Sequence, residues 1–223
     1  MASTDPAEVR ERIAHFVGAP HARGLVAAYF KPSSGFAGAL FDGLERGGLL
    51  TSNPPGRFTT DDISAASLLD VRFGPIPVRA LLGSPEITRA LKAVPDNIPL
   101  WKMDDGVFRR ANHLWNLVGG IVGVGPTRTS KLLARKRPAL VPIEDSVIRD
   151  ALLLHDETWR PLAEALQDTR LRRQIVQLRP RNVSKAISTL RLLDVAVWMS
   201  CSRSSAAVKV QLAEGAPPAR DLP

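Results

Sequence analysis

The chain has 223 residues, of which 44% are hydrophobic and 23% charged, a composition that fits a folded globular chain and excludes a disordered, collagenous or coiled-coil polymer. Thirty Lys and Arg against 22 Asp and Glu leave a net charge of +8, and an isoelectric point near 10.4 points to polyanions as partners, nucleic acid ahead of an anionic membrane surface. A single cysteine, Cys201, excludes an internal disulfide, a Cys-rich zinc site and a four-thiolate iron–sulfur cluster. The start of the chain lacks a basic stretch followed by an apolar one, and no apolar run approaches about 18 residues, so a cytoplasmic chain that does not span a membrane is expected.

Apolar residues recur at spacings of three and four between the prolines and glycines, which predicts an all-α fold. Asp5-Pro6 reads as an N-cap with proline at the first helical position, opening a helix that runs to about Phe16 and stops near Gly18. A second helix is expected over 36–46, ended by Gly47-Gly48. The Ser-Asn-Pro-Pro-Gly stretch within 51–57 is the most loop-like interior segment and suggests a boundary between an N-terminal helical segment, 1–57, and a core domain, 58–201. Thr59 to Asp62 offers capping oxygens for a helix through Leu69, and Ser84-Pro85 repeats the cap-then-proline signal before Ile87 to Val94. Pro75, Pro77, Pro95 and Pro99 shorten the pieces around it. Val107, Phe108, Ala111, Leu114, Trp115 and Val118 form one stripe of a stronger helix ending at Gly119-Gly120. The last helix is expected over 183–201, and residues 202–223 as a disordered tail.

Between two helices lies Gly119-Gly-Ile-Val-Gly-Val-Gly125-Pro-Thr-Arg-Thr-Ser-Lys. Glycines at 123 and 125 permit positive φ in a tight turn and close approach of another chain. Pro126 suits a first helical position, so the amides at this helix start and the positive end of its dipole are offered to a phosphate. Arg128, Lys131 and Arg135, at i, i+3 and i+7, share one helix face, and Lys136-Arg137 extend the charge; behind a phosphate-binding turn such a face would follow a DNA backbone.

This segment resembles the helix-hairpin-helix motif of DNA-repair proteins, and with the following Val141-Pro-Ile-Glu-Asp145-Ser-Val-Ile-Arg149 it is similar to the helix-hairpin-helix DNA glycosylase superfamily. Residues 59–200 as a whole look most like an uncharacterised bacterial domain family distantly related to it. The resemblance implies a glycosylase-like helical fold, DNA gripped through its backbone by Gly123, Gly125, Thr127, Arg128, Lys131 and Arg135, and a catalytic carboxylate after the hairpin helix. Counting from the hairpin selects Asp145; counting back from Arg149 selects Glu144. Thr127 stands where bifunctional members carry lysine, so base excision would be monofunctional, without a Schiff base. With four to six phosphates neutralised, log affinity would fall against log salt with a slope near −4 to −5.

Asp145 also reads as an N-cap for a helix over 146–154, a role compatible with catalysis. Asp194, set among Ile187, Leu190, Val197 and Trp198, calls for a partner, an arginine or a helix end. The seven cations Arg170, Arg172, Arg173, Arg179, Arg181, Lys185 and Arg191, with no acid from 169 to 191, suit a solvated face or, in a catalytically silent helical module, an RNA or acidic-protein partner. His15, His21, His113 and His155 show no metal spacing, and the glycine segment lacks the marks of a dinucleotide or P-loop site, so no metal and no cofactor are expected.

Overall fold

The computed structural model describes residues 4–43, 53–154 and 157–217, and over these the chain is helical without a strand. It divides into two units: an inserted unit, Ala37–Ile143, and a flanking unit of Met1–Phe36 with Glu144–Pro223. The divisions therefore fall at 36/37 and 143/144, which corrects the boundary expected near residue 57: the Pro-rich stretch is tied into the inserted unit, with the carbonyls of Pro54 and Pro55 accepting from Lys136 and Arg137.

Numbered along the chain, the flanking unit holds α1 (Pro6–Gly18), α2 (Ala22–Tyr29), α8 (Ser146–Ala151), α9 (Trp159–Ala165), α10 (Thr169–Gln177), α11 (Thr189–Cys201) and α12 (Ser205–Ala213). Its axis is α11, in which Leu190 to Val197 are all buried, and α1, α2, α8, α10 and α12 pack around it. A helix apolar on nearly every side must be covered on every side. One polar pair survives there: Asp194 meets Arg191 one turn earlier, and the Arg191 guanidinium also donates to the Tyr29 hydroxyl at 2.8 Å. This is the arginine partner that the apolar setting of Asp194 called for.

The expected helix over 183–201 starts only at Thr189, behind a Ser188 cap whose Oγ accepts from the Arg191 amide at 3.0 Å. Residues before it are held as turns because Arg179 donates to the carbonyls of Ser184 at 2.6 Å and Ile187 at 2.7 Å. The disordered tail is corrected over 205–213, which form α12. Ser204 caps it, and the Gln211 amide reaches back to the carbonyls of Met199, Ser200 and Ser202 at the end of α11, groups a helix leaves without partners of its own. Residues 218–223 lie outside the described residues.

The inserted unit holds α3 (Thr60–Ser67), α4 (Pro75–Gly83), α5 (Pro85–Ala93), α6 (Asp105–Gly119) and α7 (Gly125–Lys136). Thr59 and Asp62 form a capping box on α3, and Ser84 and Asp104 cap α5 and α6 through the amides of Ile87 and Val107. The helix expected over 36–46 is a 3-10 turn at Ala37–Leu40; its last residues, 44–46, lie outside the described ones. Within this unit α7 packs on α3 and α6, and α5 packs on α6. Phe41, Ala65, Ala134 and Ile143 make one of its apolar clusters.

Candidate nucleic-acid interface

The α6–turn–α7 segment is built by local chemistry. The amides of Gly120 and Ile121 close the end of α6 on the carbonyls of Asn116 and Val118, and the Val124 amide closes the turn on Ile121. Gly123 and Gly125 have φ of +85° and +66°, the left-handed region that a Cβ disfavours. Val124 between them is 1% exposed and anchors the turn, whereas Val122 at its tip is 73% exposed. Gly123, Pro126 and Thr127 are also exposed, and α7 opens with proline in its first turn and no side-chain cap. The two helices approach closely at the base: a Cβ on Gly119 would stand 3.3 Å from Thr129 Oγ1, which itself donates to the Gly125 carbonyl at 2.8 Å.

The cations behind the turn lie elsewhere than expected. Thr129 through Lys136 are all buried, so the face that carries Lys131 and Arg135 turns inward. Lys131 Nζ donates to the Leu69 carbonyl at 2.6 Å, just past the end of α3, and Arg135 Nη1 to the Phe41 carbonyl at 2.8 Å. A cation buried this way inside the unit cannot reach a DNA phosphate, which removes Lys131 and Arg135 from the expected backbone grip. Helical spacing groups side chains on one face but does not say whether that face meets solvent or a row of carbonyls. Arg128 is half-buried and ties the turn down: its Nε donates to the Arg72 carbonyl at 2.7 Å and its Nη1 to Val124 at 3.3 Å.

The next two cations are buried most deeply, although sequence reasoning took them for an extension of the basic face. Lys136 Nζ sits 2.5 Å from Asp62 Oδ2, both side chains fully enclosed, and lies over the Phe58 ring. Arg137, 1% exposed, spreads its guanidinium over the carbonyls of Leu91 and Val94 at the end of α5, and over those of Pro55 and Lys136, with Asp96 3.1 Å away. A cation at a helix C-terminus satisfies the orphan carbonyls and opposes the dipole there.

Of the two carboxylates proposed for chemistry, both in the flanking unit, Asp145 is the N-cap of α8, its Oδ1 accepting from the Val147 amide at 3.0 Å. That helix is shorter than expected because Leu153 takes a φ of +52°. Glu144, half-buried, accepts from Trp159 Nε1 at 3.1 Å. Burial pushes its carboxyl above the usual range, against the opposing pull of that hydrogen bond and of Arg149. A cavity of about 410 Å³ in the same unit, lined by His15, Phe16, His21 and Ser200 among others, includes neither carboxylate. His113 is exposed on α6, and Trp101 is half-buried in a 3-10 turn at Leu100–Lys102.

No helix among the described residues is long and apolar enough to cross a membrane. A comparison with curated proteins finds no match, and neither does one with solved structures. A family of unknown function, DUF6308, matches residues 22–201, from the first residue of α2 to the last of α11, and the chain belongs to that family.

Proposed function

We propose that the protein binds duplex DNA through its phosphate backbone at the turn between α6 and α7, in the manner of helix-hairpin-helix proteins. The observation that carries this reading is the pair of positive-φ glycines around a buried Val124, which fixes an open turn at the uncapped start of a helix. Grip there comes from backbone amides, the Thr127 hydroxyl and the half-exposed Arg128. Without Lys131 and Arg135 this amounts to one or two phosphates, a share of the salt slope of about −1 to −2. Such contacts position a duplex without reading its sequence.

The test compares wild type with Gly123→Ala/Gly125→Ala in salt titrations on duplex DNA. The double variant should bind at least about tenfold more weakly and lose about 1 to 2 from the slope, with its helical content retained. Unchanged affinity and slope would sink the reading.

Base excision by a glycosylase-like layout adds a carboxylate that stabilises positive charge on the sugar. Asparagine caps helices about as well as aspartate, so Asp145→Asn keeps α8 while removing the charge. Base release lost in Asp145→Asn assigns the chemistry to Asp145, and release lost only in Glu144→Gln assigns it to Glu144. Release retained in both excludes this pair.

A further inference from the structure

The flanking unit carries a charged surface of a different kind. Helix α10 buries Leu171 and Ile175 and turns Arg170, Arg173 and Gln177 to solvent. The chain then enters the 178–188 segment, where Arg181, Asn182 and Lys185 are exposed. That segment is fixed rather than slack. Arg179 clamps the carbonyls of Ser184 and Ile187, the Val183 and Ile187 amides close turns on Pro180 and Ser184, and Ser184 Oγ accepts from the Ala186 amide. Arg172 is also spent internally, its guanidinium on the carbonyls of Leu166 and Gln167 past the end of α9. Four exposed cations thus remain on a hydrogen-bonded support; the sequence from 169 to 193 contains no acid, and the one just before it, Asp168, is spent in capping α10 on the Arg170 and Leu171 amides.

The composition of this surface favours one class of polyanion over others. A protein partner would want an apolar or aromatic anchor at its centre, yet the exposed large apolar side chain in this span is Val176 alone among the described residues. Single-stranded nucleic acid binds by stacking bases on aromatic rings, and there is no Phe, Tyr, Trp or His from 160 to 197. A duplex, which presents phosphates and keeps its bases stacked, needs neither. We infer that the outer face of α10 and the clamped 178–188 segment form a phosphate-contacting surface for duplex DNA, sharing no residue with the hairpin and acting independently of it.

The test uses the full chain with Arg170, Arg173, Arg181 and Lys185 all changed to alanine, beside Arg173→Gln/Arg181→Gln, which keeps much of the side-chain stems. Salt titrations on duplex DNA should show a slope shallower by about 3 to 4 for the first variant and about 2 for the second, with an unchanged thermal midpoint. At about 0.1 M salt the first variant should bind at least about tenfold more weakly. The same loss should appear when the four changes are added to the Gly123→Ala/Gly125→Ala background. An unchanged slope in both variants would overturn the inference, as would a wild type that binds single-stranded DNA, duplex RNA or polyglutamate tenfold more tightly than duplex DNA. If the hairpin variant alone loses binding, the hairpin reading stands and this one falls; if only the cation variants lose it, the reverse holds. A wild type that fails to bind duplex DNA at low salt removes both.

Discussion

Helix α7 and the segment from α10 into α11 carry runs of arginine and lysine of similar density, but the first run points into its unit and the second mostly out of it. In and just after α7 the cations sit beside Leu132, Leu133 and Ala134, and two of them, Lys131 and Arg137, meet carbonyls at the C-terminal ends of α3 and α5. In α10 the buried apolar residues, Leu171 and Ile175, form one stripe, and Arg170 and Arg173 on other faces meet solvent. The fate of a basic residue is therefore set by whether an internal acceptor, a helix-end or turn carbonyl or a buried carboxylate, lies within reach of its long stem, and a net charge of +8 overstates the charge available to a partner. Three residues of the second run follow the rule of the first: Arg172, Arg179 and Arg191 all close on groups inside the flanking unit.

The sharpest break of this contrast is Arg137→Ala. It removes the guanidinium donors from the carbonyls of Leu91, Val94, Pro55 and Lys136, at an expected cost of about 3–5 kcal/mol in urea unfolding of the full chain. A loss under about 1 kcal/mol would mean that the guanidinium is dispensable there. Arg179→Ala lies between the two regimes, because it removes two hydrogen bonds at a half-buried site; about 1–2 kcal/mol should go, with amide exchange over 183–187 at least about tenfold faster. Unchanged exchange would show that the turns hold without the clamp. Arg173→Ala, at the solvent end of the series, should shift stability by no more than about 0.5 kcal/mol. A shift above about 1 kcal/mol would place Arg173 with the buried cations.

The parts of the fold written in neighbouring residues were legible. Asp5-Pro6, the Thr59 box, Ser84-Pro85 and Asp145 each cap the helix they were expected to cap, and the two hairpin glycines adopt the φ that motivated reading them as a turn. What was hidden depends on partners far away in sequence. Lys131 finds its carbonyl 62 residues away and Arg135 finds its own 94 away, distances over which helical spacing says nothing. Helix α4 was hidden for a different reason: Pro75 and Pro77 look like breakers, but both fall in the first turn, where no amide is required, and the ladder starts at the Val78 amide on Gly74. In α12, Gln211 is a polar residue in a stretch of modest apolarity, and its docking on α11 leaves no periodic signal.

The end of α11 bears on how the protein can be cut for study. The family match stops at Cys201 and starts at Ala22, so a fragment trimmed to those limits would keep α11 and lose both α1 and α12. It would strip Val9, Ile13, Phe16 and Val17 from the surfaces of α9, α10 and α11, and deprive the last carbonyls of α11 of the Gln211 amide. Such a fragment carries a fresh apolar wall on its central helix and should aggregate where the longer chain does not.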